Sequence, residues 1–165
     1  MKKVLSLAIL ALAFVASAFA QTSTPYINSD FSATFNGLVQ YQNEGPNDQK
    51  TSTSEAYWSN GTDGVQQEVY VRRITAGTIP VDFTSSDFYA NHHLFGTRIP
   101  ENVSRGYYQG HPYTYAFYTD DNGLGERVRF IIVSPTEVIW IEQYAPLSTN
   151  DTQEYADFET SLNIK

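Results

Sequence analysis

Apolar positions in this chain alternate with polar ones far more often than they recur at helical spacing, so strands dominate the reading. Phe31, Ala33 and Phe35 fall on one side of a run that Asn36-Gly37 can turn or kink. Before it, residues 21–30 are polar and read as a flexible lead-in; after it, Asn43–Lys50 has the composition of a loop. Thr51–Ser59 is a second strand, with Ala56 and Trp58 on one face and Tyr57 on the other. Asn60-Gly-Thr-Asp-Gly64 then predicts a hairpin. The third run, Val65–Ala76, puts Val65, Val69 and Val71 on one side together with Gln67 and Arg73.

The middle changes period. Thr84–Phe95 predicts a short helix, with Thr84 and Asp87 at capping-box spacing and Phe88, His92 and Phe95 at helical intervals. Strands return at Ser104–Gln109. A Gly110-His-Pro112 turn follows, then Tyr113–Thr119 with Tyr113, Tyr115 and Phe117 alternating. Arg127–Val133 and Thr136–Tyr144 are apolar on both faces, which places them centrally in a sheet covered on both sides. Asn150 or Asp151 opens a last helix whose apolar stripe is Tyr155, Phe158 and Leu162. The pattern predicts an α+β domain over residues 31–165. It consists of a single antiparallel β-sheet with a short middle helix and a C-terminal helix packed on it.

The front of the chain is different in kind. Lys2 and Lys3 precede an apolar stretch from Val4 to Val15 that ends in Ala16-Ser-Ala-Phe-Ala20. A basic start, a greasy core and an Ala-x-Ala ending make a secretory signal peptide over residues 1–20, with the remaining chain starting at Gln21. No other segment is long and apolar enough to span a bilayer, so no stable membrane insertion is expected after cleavage. The 165 residues contain no cysteine, which excludes disulfides, thiolate metal sites and a Cys nucleophile. An exported, cysteine-free domain of this size fits a bacterial periplasmic or secreted protein. Its net charge of -8 argues against nucleic acid as a partner, and cleavage removes two basic residues more.

Both ends of the domain resemble one family. Phe31-Ser-Ala-Thr-Phe-Asn-Gly37 is similar to the F-S-x-x-F-P-G opening of small exported bacterial proteins with the Mog1/PsbP-like fold. Val138-Ile-Trp-Ile-Glu142, Tyr144-Ala-Pro146 and a helix carrying Phe158, Ser161 and Leu162 look like their last strand and helix. Asn36 stands where that pattern has Pro, and the middle helix is short. The resemblance spans about Asp30 to Lys165 and implies a non-catalytic role. Such relatives act as binding or assembly factors, among them extrinsic photosystem subunits and small GTPase-binding proteins. No functional residue of theirs maps onto this chain, and fold likeness does not transfer function.

Candidate chemistry is sparse. His92 and His93 are adjacent and point apart on a helix, so a metal would need His111 with Asp87 or Glu101, and no ligand spacing supports that. Asp120-Asp-Asn-Gly-Leu-Gly-Glu126 is rich in oxygens, but Leu124 occupies a ligand position and Gly123 comes too early for a calcium loop, so a hairpin turn is the better reading. Gly123-x-Gly125 lacks the third glycine and the helix of a nucleotide loop. No cofactor, metal set or catalytic residue is therefore assigned.

The aromatic run from Arg105 to Tyr118 is the strongest binding signal, because tyrosine combines an apolar body with a polar tip. Tyr107, Tyr108, His111 and Tyr118 are the candidate patch, with ordinary cross-strand packing as the competing use. Arg72, Arg73, Arg98, Arg105, Arg127 and Arg129 carry most of the remaining positive charge. They can form a local anion site or pair with the 18 acids. The expected function is an exported, non-catalytic domain binding a protein or small ligand. The alternatives are an envelope hydrolase built on His111 and carboxylates, or a self-associating structural protein.

Overall fold

A computed structural model describes residues 23–93, 100–119, 123–147 and 151–165, without the side chains of His92 and His93. The signal peptide expected over residues 1–20 lies outside them, as do the side chains of the histidine pair and residues 120–122 of the turn expected at Asp120–Gly125. Ten strands and two helices are described. They are β1 Thr24–Ile27, β2 Phe31–Phe35, β3 Gln40–Pro46, β4 Ser52–Asn60, β5 Gln66–Ile74, α1 Phe83–His93, β6 Asn102–Tyr108, β7 His111–Thr119, β8 Leu124–Ser134, β9 Glu137–Pro146, α2 Thr152–Ser161 and β10 Asn163–Ile164.

The strands form two sheets, not the single one expected. Seven make a large antiparallel sheet in the order β3-β4-β5-β9-β8-β7-β6. The other three make a small sheet, β1-β2-β10, in which the two ends of the chain flank β2. Thr24–Ile27, expected within a flexible lead-in, is thus a strand. Its only large apolar side chain besides exposed Ile27 is Tyr26, which is why the segment reads as polar. Tyr26 packs on Phe31 and Tyr57, with ring centroids 5.9 and 5.3 Å apart.

The small sheet exists because β2 has a face to bury. Phe31, Ala33 and Phe35 lie in one core with Val69, Val71, Ile131, Ile139 and Ile141 of the large sheet and Tyr155, Phe158 and Leu162 of the C-terminal helix. The two segments that carry the family resemblance meet here. Phe35 and Phe158 are 5.2 Å apart, and the Ser161 hydroxyl accepts the Thr34 N–H at 2.8 Å. On the opposite face of the large sheet, Val128, Phe130, Ile132, Val138 and Trp140 form a second core under Tyr89 and Ala90 of α1. Central β8 and β9 are buried on both sides, as their unbroken apolar runs require.

Several local expectations shift. α1 is capped by Asp82, whose Oδ1 accepts the Ser85 N–H at 2.8 Å, and not by Thr84 with Asp87. Phe88 points to solvent, 57% exposed, because the helix buries the Ser85–Ser86 and Tyr89–Ala90 side. The β6–β7 turn is Gln109-Gly110, both at positive φ, so His111 and Pro112 belong to β7. The loop expected at Asn43–Lys50 starts later, since β3 runs to Pro46 across a bulge between Asn43 and Gly45. Asp151 makes no side-chain cap for α2 because its carboxylate holds Arg127 at 2.5 Å.

Candidate functional site

The second face of the large sheet is only half covered. α1 packs on β7 and β8, so the part of the face formed by β4 and β5 is left beside it. Strand alternation places Ser52, Ser54 and Ala56 of β4, and Tyr70 and Arg72 of β5, on this side. Trp140 of β9 lies opposite Tyr70, and the two rings stack at 4.8 Å. Arg72 lies over the same indole, its guanidinium carbon 5.1 Å from the ring centroid.

Arg72 stands between two troughs. The smaller, about 190 Å³, has Glu44 on its rim and Ser52 and Ser54 in its floor. The larger, about 310 Å³, is walled by Ile74, Ile79, Phe88 and Tyr89 and shares Ser52 and Arg72 with the first. No residue lining the larger trough is acidic. Burial raises the Tyr89 phenol above its ordinary pKa, and Arg72 acts against that rise.

Among the described residues, what separates Arg72 from the other arginines is its lack of an acid partner. Arg73 pairs with Asp30 and Glu55, Arg105 with Asp87, Arg127 with Asp151 and Arg129 with Glu159. Arg72 spends its Nε–H on the Ser54 hydroxyl at 3.2 Å. Its two Nη groups find no acceptor among the described residues. In a chain with 18 acids and 10 bases, an arginine left off its carboxylates is the exception.

Two other concavities hold polar groups that are already used. Under α1, a cavity of about 250 Å³ is lined by Asp87, Arg105, Thr114 and Tyr118. There the Asp87 carboxylate takes Arg105 at 2.8 Å and the Thr114 hydroxyl at 2.7 Å, and these bonds lower its pKa against burial. Beside the small sheet, about 220 Å³ is lined by Asn36, Gln67, Glu154 and Asp157. Asn36 is saturated: its N–H donates to Gln67, its Nδ2 to Val65 O and Glu154, and its Oδ1 accepts from Ser59.

The four residues singled out from the aromatic run do not come together. Tyr107 is 68% exposed and meets Phe83 edge-on at 5.1 Å. Tyr108 points to the other face, where its hydroxyl lies 2.7 Å from the Glu159 carbonyl and 2.6 Å from that of Leu162, tying the C-terminal helix down. Tyr118 is 1% exposed and forms part of the floor of the cavity under α1. His111 starts β7 opposite Tyr108 and makes no ion pair with a carboxylate among the described residues. Among those residues no three His, Asp or Glu side chains are grouped to hold a metal. From the sequence, Arg72 is one of six arginines that could form an anion site, on the strand face opposite Arg73; only the sheet shows that Arg73 meets Asp30 and that Arg72 borders the trough.

This architecture, a large antiparallel sheet with a small sheet and the C-terminal helix on one face and α1 on the other, is the PsbP-like α+β fold. The solution structure of cyanobacterial PsbP (CyanoP) from Synechocystis sp. PCC 6803 superposes with a TM-score of 0.58 at 11% identity, covering 88% of this chain and 94% of that one. At that identity the likeness shows the fold and no more. No family model and no curated protein sequence matches the chain. None of the described helices is long and apolar enough to cross a membrane.

Proposed function

We propose that the protein is an exported, non-catalytic binding domain of the bacterial cell envelope, and that its ligand sits on the half of the sheet face that α1 leaves beside it. The observation that carries this reading is Arg72, an arginine without an acid partner among the described residues, stacked on Trp140 between two troughs. Binding sites are concave and combine apolar walls with placed polar groups, and the larger trough sets Ile74, Ile79, Phe88 and Tyr89 against Arg72, Ser52, Asn47 and Gln49. The basic, apolar, Ala-x-Ala start supports export. The PsbP-like fold agrees with a binding role by analogy alone.

Native mass spectrometry of the protein isolated under mild conditions from its own cell envelope tests all three parts. The expected species lacks residues 1–20 and carries extra mass that disappears on denaturation. An uncleaved chain in the cytoplasm overturns export. A bare chain at every concentration overturns a tight ligand. Bound mass together with a hydrolytic activity lost in His111→Ala overturns the non-catalytic reading.

A further inference from the structure

We infer that the larger trough is a subsite for a small organic carboxylate with an apolar body, held by Arg72; this rests on the binding role proposed above. The ligand class follows from what the site offers. A guanidinium presents N–H donors in a planar fork that matches a carboxylate. The fork of Arg72 is oriented by its stack on Trp140 and by its Nε–H bond to Ser54, and both Nη groups remain to be used. The Ser52 hydroxyl lines the same trough, is 7% exposed and has no hydrogen-bond partner among the described residues, so it supplies a second donor.

Charge and shape narrow the choice. The lining of the larger trough contains one arginine and no acid, whereas Glu44 on the rim of the smaller one disfavours an anion there. One cation balances a monoanion, not the near-dianion of a phosphate monoester. Ile74, Ile79, Phe88 and Tyr89 give the trough an apolar side, facing the polar Asn47, Gln49 and Thr51, and that side asks for an apolar body on the acid. A volume of about 310 Å³ admits a small molecule and not a folded partner. Such a wall also explains why α1 leaves Phe88 exposed on this side.

The test is an NMR titration of the exported form of the protein, the chain without residues 1–20, with three probes: 3-phenylpropanoate, 3-phenylpropanol and inorganic phosphate. The readouts are the Arg72 Nε–H and Trp140 indole N–H resonances. Phenylpropanoate is expected to shift both saturably, with the alcohol and phosphate at least roughly tenfold weaker, since a hydrogen bond to a charged group carries that much. Arg72→Gln is expected to lose the phenylpropanoate response. Arg72→Lys, which keeps the charge and the stem but not the fork, is expected to weaken it several-fold; it also guards against a misfolded glutamine variant.

Equal binding of acid and alcohol overturns the anion subsite, and stronger binding of phosphate overturns the organic class. Silence of all three probes overturns the carboxylate subsite as well. If the native protein still carries bound mass in that last case, and Arg72→Gln retains it, the binding role survives and only this subsite fails. Silence together with a bare native chain removes both.

Discussion

Asn36 is the sharpest place to test how this fold is held, because a polar side chain sits where the related pattern has proline. It is 8% exposed, and its carboxamide joins four elements: β2, the start of β5, the end of β4 and helix α2. Asn36→Ala strands the Ser59 hydroxyl, which is fully buried. The Val65 carbonyl loses one of its two donors but keeps the Gly61 N–H at 2.7 Å. A buried group left without a partner costs about 1–3 kcal/mol. Glu154 is half-buried in the cavity beside the small sheet and regains water, so it adds little. The hydroxyl can rotate toward another acceptor, which puts it at the low end. With the lost Val65 contact the expected loss is then about 1–3 kcal/mol, a sizeable part of the roughly 5–15 kcal/mol that holds a typical domain together. In urea, with a slope of about 1–3 kcal/mol per molar, the midpoint drops by roughly 0.5–1.5 M at unchanged slope. Asn36→Pro also deletes the N–H that donates to Gln67 at 2.8 Å and is expected to cost more. Gln42→Ala on exposed β3 serves as the control, at no more than about 0.5 kcal/mol. If Asn36→Ala behaves like that control, the buried network does not hold the two sheets together and the reasoning fails.

Tyr108→Phe removes the hydroxyl that binds the Glu159 and Leu162 carbonyls, with an expected cost of about 1–2 kcal/mol. Amide exchange across α2 and β10 is expected to quicken while ligand binding stays unchanged; a variant that exchanges like the wild type refutes the anchoring role. Tyr118→Ala empties part of the core under α1 and is expected to cost about 3 kcal/mol or more by chemical denaturation, as aromatic truncations in cores do. A smaller loss means that the floor of that cavity collapses to fill the gap. Two carboxylates give opposite pH slopes. Asp87 has its pKa lowered by Arg105, so its stabilisation is present above the ordinary 3.8 and is lost as pH falls through the folded value; Asp87→Asn is expected to flatten that acid-side loss. Burial raises Glu159 above 4.5 despite Arg129, so its contribution is present at lower pH and is lost as pH rises through the folded value. Glu159→Gln is expected to remove that second slope from a plot of urea midpoint against pH.

The strands of the large sheet other than β3 were legible from period-two patterning and apolar runs; β3 is exposed along almost all its length and reads in part as a loop. Val69 and Val71 land in the core as alternation places them, and β8 and β9, apolar on both faces, add Ile131, Ile139 and Ile141 to it. The helix of Tyr155, Phe158 and Leu162 was legible for the same reason at its own period, and all three are buried. The hairpin after Asn60 was legible from turn chemistry. The start of α1 was legible to within one residue, while its expected end at Phe95 lies outside the described residues. Its buried side was not legible, because Phe88, the largest apolar residue in its middle, faces outward beside Arg72 while Tyr89 and Ala90 pack inward.

The sequence by itself thus determined most of the central strands and both helices, the acidic character and the PsbP-like resemblance, since each of these resides in composition or local periodicity. It did not determine that β2 leaves the large sheet to pair with β1 and β10, because the β2–β10 pairing is set by which surfaces meet across more than a hundred residues. Period-two alternation put Arg72 and Arg73 on opposite faces of their strand, but not what each face meets. One arginine meets Asp30 and Glu55, while the other meets an indole, a serine and open volume among the described residues. A partner's absence is a property of the space around a side chain, and only the folded sheet defines that space.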